Sequence, residues 1–311
     1  MRKTVSALIF CMVSFMSSWA SGKTTEIYNI AGNDNLRLDF YPAASPAPSP
    51  VMIFAFGGGF KGGDRADSSY IPMFEYLTRN GVAVVSVDYR TLLKDAPAQE
   101  MMTPEGFKSH LASAIQTATT DFLTATGYVM SKSSQWNIDP DLIFACGSSA
   151  GAITVLQAED TLCNDKIYYA GVGLPHDFNY AGVISMAGAV CSDGAPQWQM
   201  TPCPILLFHG DADSVVPFEK ATLGDFGLWG SKSISTALRQ KEIPHAFHRV
   251  NGASHEIAIA PCTEYCGEIY DFIRAVCNRT FNKIEETVSS VPGLNGYKTD
   301  FTIVDYIKSN L

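Results

Sequence analysis

The sequence predicts an α/β fold: a mostly parallel central sheet with helices on both faces and no large lid domain. Three observations predict it. Short, continuous apolar runs at 51–56, 82–87, 142–146, 182–186 and 205–208 have the character of strands buried on both faces. Helical stretches separate most of these runs, the spacing of strand–helix–strand crossovers. The length of 311 residues, 46% hydrophobic and 17% charged, suits one large domain with a sizeable core.

Taken in order, residues 25–30 and 36–41 alternate apolar and polar side chains and read as two half-exposed antiparallel strands. The proline-rich stretch 42–50 is a loop, because a core strand follows at once. That strand, 51–56, runs into Gly57-Gly58-Gly59-Phe60-Lys61-Gly62-Gly63-Asp64. Glycines at a strand end can aim backbone N–H groups at an anion without steric cost. A phosphate loop is excluded, since Gly63-Asp64 does not supply the Lys-Ser/Thr that it needs. A helix over about 69–79 leads to the strand at 82–89. Residues 91–107 read as loop, and a long helix covers about 108–130. The run 142–146 is a buried strand that stops at Gly147-Ser148-Ser149-Ala150-Gly151, after which a helix begins. The stretch 163–180 reads as loop, 182–186 as strand, 191–204 as loop and 205–208 as strand. A helix at 231–241 and a strand at 245–250 complete one α/β domain over 21–280, and the polar residues 281–311 form a C-terminal extension of unassigned role.

Residues 1–20 have the form of a secretory signal: Arg2 and Lys3, an apolar centre from Leu8 to Phe15, and Ser18-Trp19-Ala20 as a small-x-small cleavage site. The apolar centre is too short to span a bilayer. The expectation is an exported protein, periplasmic or secreted, with no stable membrane insertion. Removing Arg2 and Lys3 moves the net charge from -9 to -11, which makes nucleic acid and anionic membranes poor partners. Cys11 leaves with the signal, and seven cysteines remain. Cys146 lies in the core strand and reads as an inert thiol. Cys262 and Cys266 have a ligand-like spacing but no second ligand pair, so disulfide or free thiol is the better reading and no metal is expected.

Gly-x-Ser-x-Gly on a strand-to-helix turn is the context of a nucleophile elbow, which makes Ser149 the candidate nucleophile. The strand ending at Phe208 runs into residues 209–217, where Asp213 stands at a parallel strand's carboxyl edge and Asp211 could cap the turn. The strand at 245–250 ends in a turn that delivers His255. His245 and His248 lie within that strand, His110 and His176 belong to no paired motif, and His209 reads as a residue that shapes the aspartate turn. Ser149, Asp213 and His255 therefore follow the order serine, acid, histidine.

On these motifs the chain resembles the α/β-hydrolase superfamily, and within it the carboxylesterase and hormone-sensitive-lipase-like esterases. The matching residues are Gly57-Gly58-Gly59-Phe60, Asp88-Tyr89-Arg90, Asn137 to Asp141, Gly147 to Gly151, His209-Gly210 through Asp213, and His255, so the resemblance covers residues 36–277. It implies an oxyanion hole formed by the N–H groups of Gly58, Gly59 and Ala150. Phe56 departs from the pattern, in which a histidine precedes the glycines. The expectation is a cofactor-free serine carboxylic ester hydrolase. Its expected substrates are short-acyl or aryl esters, including acetyl or feruloyl esters of carbohydrates, because little chain separates Ser149 from Asp213 for a lid. Residues 91–107, 161–180 or the C-terminal tail would have to cover the acyl pocket. Two rivals are a serine exopeptidase of the prolyl-oligopeptidase type, which would need a propeller this length cannot hold, and a non-catalytic binding protein with the same fold. Oligomeric state stays open at this point.

Overall fold

A computed structural model describes residues 22–164, 171–290 and 301–310; the expected signal segment at 1–20 lies outside them. The main sheet begins with an antiparallel hairpin, β1 (Thr24–Ala31) and β2 (Asp34–Tyr41). The core strands follow: β3 (Ser49–Ala55), β4 (Ala83–Val87), β5 (Ile138–Ser148) and β6 (Gly182–Met186). β7 (Ala189–Asp193) leaves the sheet, β8 (Ile205–Gly210) returns to it, and β9 (Lys220–Leu223) and β10 (Phe226–Gly230) leave it again. β11 (His245–Asn251) and β12 (Ile284–Ser290) complete it. The strand order is β1-β2-β4-β3-β5-β6-β8-β11-β12. β2 pairs antiparallel with β4, and every pair from β4 to β12 is parallel. The expected α/β fold with a mostly parallel sheet is what the chain adopts.

The helices are α1 (Ile71–Arg79), α2 (Ala98–Met101), α3 (Pro104–Ser131), α4 (Ser133–Trp136), α5 (Ala150–Cys163), α6 (Ser231–Gln240), α7 (Cys266–Cys277) and α8 (Ile303–Asn310). The apolar runs are buried as continuous runs should be in a covered parallel sheet: Val51 to Ala55 and Phe144 to Cys146 are wholly inaccessible. α3 starts a full turn earlier than its apolar pattern predicts. The Thr103 hydroxyl accepts the Gly106 N–H at 3.1 Å and Pro104 occupies the first turn, where a missing N–H costs nothing.

Two further regions differ from the sequence reading. The expected loop at 191–204 begins inside β7, which joins β10 and β9 in a separate antiparallel sheet. These strands have only four or five residues each, too few to show a period. The polar extension at 281–311 contains β12, the edge strand of the main sheet. Its residues are mostly exposed, so it carries no apolar alternation to betray it. α8 packs Ile303 and Tyr306 inward, with the Tyr306 ring edge-on to Phe107 at 5.8 Å.

The seven cysteines expected in the mature chain form no disulfide with one another. Burial pushes the Cys146 thiol well above its ordinary pKa, which keeps it protonated. Among the described residues, no helix is long and apolar enough to cross a membrane.

Candidate active site

β5 delivers Ser149 into a turn with φ 52° and ψ -118°, backbone angles that a non-glycine residue adopts only under strain of about 1–3 kcal/mol. Two features hold it there. The Ser149 N–H donates to the Met186 carbonyl at 2.9 Å, and α5 starts at the next residue. Gly151 permits the geometry: a Cβ there would meet the Ala55 carbonyl oxygen at 2.1 Å. Ser149 is thus the N-cap of α5, where the helix dipole favours developing negative charge.

His255 opens a short 3-10 turn, His255–Ala258, just beyond β11. Its Nε2 lies 2.8 Å from Ser149 Oγ and its Nδ1 2.8 Å from Asp213 Oδ2. A carboxylate oxygen only accepts, so Nδ1 carries the proton and Nε2 presents its lone pair to the serine hydroxyl. The turn is tied to the elbow, because Ser148 Oγ donates to the Ala258 carbonyl at 2.7 Å.

Asp213 follows β8 and is 2% exposed. Its Oδ1 accepts the N–H groups of Val215 at 2.8 Å and Val216 at 2.9 Å. Burial alone would raise its pKa. The imidazoles of His209 and His255 beside it outweigh burial and hold the carboxyl well below the usual carboxylate range. Asp211 acts elsewhere. Its Oδ2 takes Arg249 Nη2 at 2.8 Å and its Oδ1 takes the Gly252 N–H at 2.7 Å. That bracing fixes the turn that carries His255. The turn cap that the sequence offered to Asp211 is thus made by Asp213 itself.

The remaining histidines have other partners. His245 lies between Ser235 Oγ at 2.9 Å and the Ile243 carbonyl at 2.8 Å, and burial lowers its pKa. His248 bridges Glu268 at 2.9 Å and Ser289 at 3.0 Å, and His110 meets Glu100 at 2.6 Å. His176 is exposed.

The glycine-rich turn after β3 abuts the nucleophile: a Cβ on Gly57 would lie 3.2 Å from Ser149 Cβ. Gly58 and Gly59 follow directly, and Ala150 begins α5 on the other side of Ser149. Gly58 has φ 134°, and its carbonyl accepts the N–H groups of Lys61 at 3.0 Å and Gly62 at 3.2 Å, which closes the turn tightly. Two tyrosines anchor it. Tyr70 Oη accepts the Gly57 N–H at 3.0 Å, and Tyr89 Oη donates to the Phe56 carbonyl at 2.7 Å. Tyr89 belongs to the Asp88-Tyr89-Arg90 motif, but sequence reasoning gave it no role, and Tyr70 carried no signal at all. Ser149 is 9% exposed and the His255 side chain 23%, so the pair meets solvent at the carboxyl edge of the sheet.

No family model matches the chain. Two curated proteins are similar to part of it. Fumonisin B1 esterase of Sphingopyxis macrogoltabida is 32% identical over 108 residues, 33% of this chain and 18% of that protein. The putative esterase NocK of Nocardia uniformis subsp. tsuyamanensis is 29% identical over 118 residues, 37% of this chain and 30% of that protein. The chain spans under a third of the length of either curated relative in these matches. Among solved structures, a thermophilic esterase of Thermogutta terrifontis, Est2, matches with a TM-score of 0.58 at 17% identity, over 84% of this chain and 94% of that one. Its propionate-bound and butyrate-bound forms match at 0.57 and 0.56, with 19% and 18% identity, over 81% of this chain and 94% of theirs. The shared architecture is the α/β-hydrolase fold.

Proposed function

We propose that the chain is an exported serine carboxylic ester hydrolase acting on short-acyl or aryl esters, among them acetyl or feruloyl esters of carbohydrates. The observation that carries this reading is the hydrogen-bonded series Ser149–His255–Asp213, with both links at 2.8 Å and the histidine tautomer set by the carboxylate. The two curated relatives are named as esterases, which supports ester hydrolysis. The propionate- and butyrate-bound forms of the structural neighbour support a short acyl group. The signal-like residues 1–20 support export.

In this reading His255 Nε2 takes the proton from Ser149 Oγ as the oxygen attacks the ester carbonyl. Asp213 stays ionised and stabilises the imidazolium that forms. The N–H groups of Gly58, Gly59 and Ala150 receive the oxyanion, where losing one donor typically costs ~10²–10³ in rate. His255 then protonates the leaving alcohol. Water, deprotonated by the same nitrogen, releases the acid and restores Ser149.

The test is hydrolysis of p-nitrophenyl acetate, butyrate and octanoate, with acetylated and feruloylated xylan oligosaccharides alongside, by wild type and Ser149→Ala. Activity that falls with chain length and vanishes in Ser149→Ala is the expected result. Activity that survives Ser149→Ala would sink the reading.

A further inference from the structure

The aspartate of the candidate triad has a second imidazole on it. His209, next to last in β8, is wholly buried. Its Nε2 lies 3.3 Å from Asp213 Oδ2 and also 3.3 Å from the Val216 carbonyl oxygen. An ionised carboxylate and a carbonyl can only accept, so Nε2 must carry a proton. On the far side of the ring, Nδ1 lies 2.8 Å from the hydroxyl of Ser231, the wholly buried first residue of α6. A serine hydroxyl can donate or accept, so this contact fixes the orientation of the ring. Phe218 packs edge-on against the ring at 5.6 Å and limits its rotation.

We propose that His209 is a positioning residue: an imidazole with its proton on Nε2, held in orientation by Ser231, that fixes Oδ2 of Asp213 for His255. The inference rests on the Ser149–His255–Asp213 reading of the site. Oδ1 of Asp213 is already held by the Val215 and Val216 amides. With Oδ2 hydrogen-bonded to His255 Nδ1 and 3.3 Å from His209 Nε2, the carboxylate is restrained from swinging about its last torsion. The Nδ1 proton of His255 then has one place to point, and Nε2 stays aimed at Ser149 Oγ. Ser231, far along the chain and outside any motif, thereby acts on the nucleophile through two rings and a carboxylate.

The experiment compares His209→Gln with His209→Asn in the full chain, beside wild type and Ser149→Ala. The glutamine amide reaches the position of Nε2 and keeps a donor for Asp213; the asparagine amide reaches only the position of Nδ1. His209→Asn is expected to lose kcat by up to about 10²-fold with little change in KM, the scale of a misplaced catalytic group, and His209→Gln to recover most of it. Equal kcat in the two variants, or a loss confined to KM, would overturn the proposal. In ¹⁵N-labelled wild type His209 Nε2 should carry a proton, and a ring protonated on Nδ1 alone would also overturn the proposal. If the His209 variants do not fold, Ser231→Ala carries the test: it removes the Nδ1 partner that orients the ring, so kcat should fall with KM little changed, and an unchanged kcat would refute the assignment. Failure of the esterase reading looks different, because Ser149→Ala would then leave whatever activity wild type has untouched.

Discussion

The ring of Phe56 lies stacked on that of Tyr89, centroids 4.5 Å apart and 21° from parallel, while the Tyr89 hydroxyl donates to the carbonyl of Phe56 itself. This pair stands where the α/β-hydrolase resemblance of the sequence implies a histidine before the glycines. A histidine can hold such a loop by hydrogen bonds; here a ring stack and a tyrosine hydroxyl hold the chain just ahead of Gly57, with Tyr70 on the Gly57 amide. Phe56 therefore leaves the glycine turn anchored by different chemistry.

Removing that hydroxyl should loosen the turn without emptying the core. Tyr89→Phe keeps the stack but strands the Phe56 carbonyl without its donor, which costs about 1–3 kcal/mol where water cannot replace it. The expected outcome is a lower urea midpoint and a several-fold lower kcat, with KM little changed. Equilibrium denaturation and ester hydrolysis measure the two.

Gly58 tolerates no side chain. A Cβ there would meet the Gly62 carbonyl oxygen at 2.3 Å, and φ is 134°. Gly58→Ala must reopen the turn and displace the amides beside Ser149. A kcat loss of ~10²–10³ is expected, the cost of losing an oxyanion donor, with the far-ultraviolet circular dichroism of the sheet retained.

The acid limb of stability should report Asp213. Its folded pKa is depressed, so its contribution is complete above the unfolded carboxylate value of about 3.9 and is lost as pH falls through the lower folded value. Wild type should destabilise below about pH 4 more steeply than Asp213→Asn. Thermal melts of both proteins between pH 3 and 6 measure the difference.

Glu159 should behave in the opposite sense. It is 1% exposed; Oε1 accepts the Cys203 N–H at 2.7 Å and the Cys163 thiol at 3.2 Å, while Oε2 is buried with no hydrogen-bond partner. Burial raises its pKa. Stability from such a group is complete below the unfolded value of about 4.3 and declines as pH rises toward the folded one, by about 1.4 kcal/mol per unit of separation. Glu159→Gln, which never ionises, should gain on wild type as pH goes from 5 to 8. Urea midpoints at the two pH values decide it.

The sheet and the three candidate triad residues were legible because each leaves a local mark. Buried parallel strands such as 51–55 are apolar throughout, the elbow needs small residues on both sides of Ser149, and Asp213 and His255 stand at strand ends. What escaped was marked only by distant neighbours. Tyr70, Ser148 and Ser231 are ordinary residues until the fold sets them against Gly57, Ala258 and His209. β12 escaped for the opposite reason: an edge strand buries little, so Glu285, Glu286 and Val288 give no sign of it.

β12 also bears on how the chain is completed during synthesis. It pairs with β11 along its whole length, from His245 with Ile284 to Asn251 with Ser290. Until residue 290 has been made, β11 offers a row of unpaired amides and carbonyls beside Phe247 and Val250, a template for any other extended chain. The candidate site is fully encoded once His255 has been translated, yet the strand bearing it would remain an open edge for another 35 residues, judged by number alone. A nascent or proteolysed chain ending near 280 would hold every candidate catalytic group and still leave that edge open to aggregation.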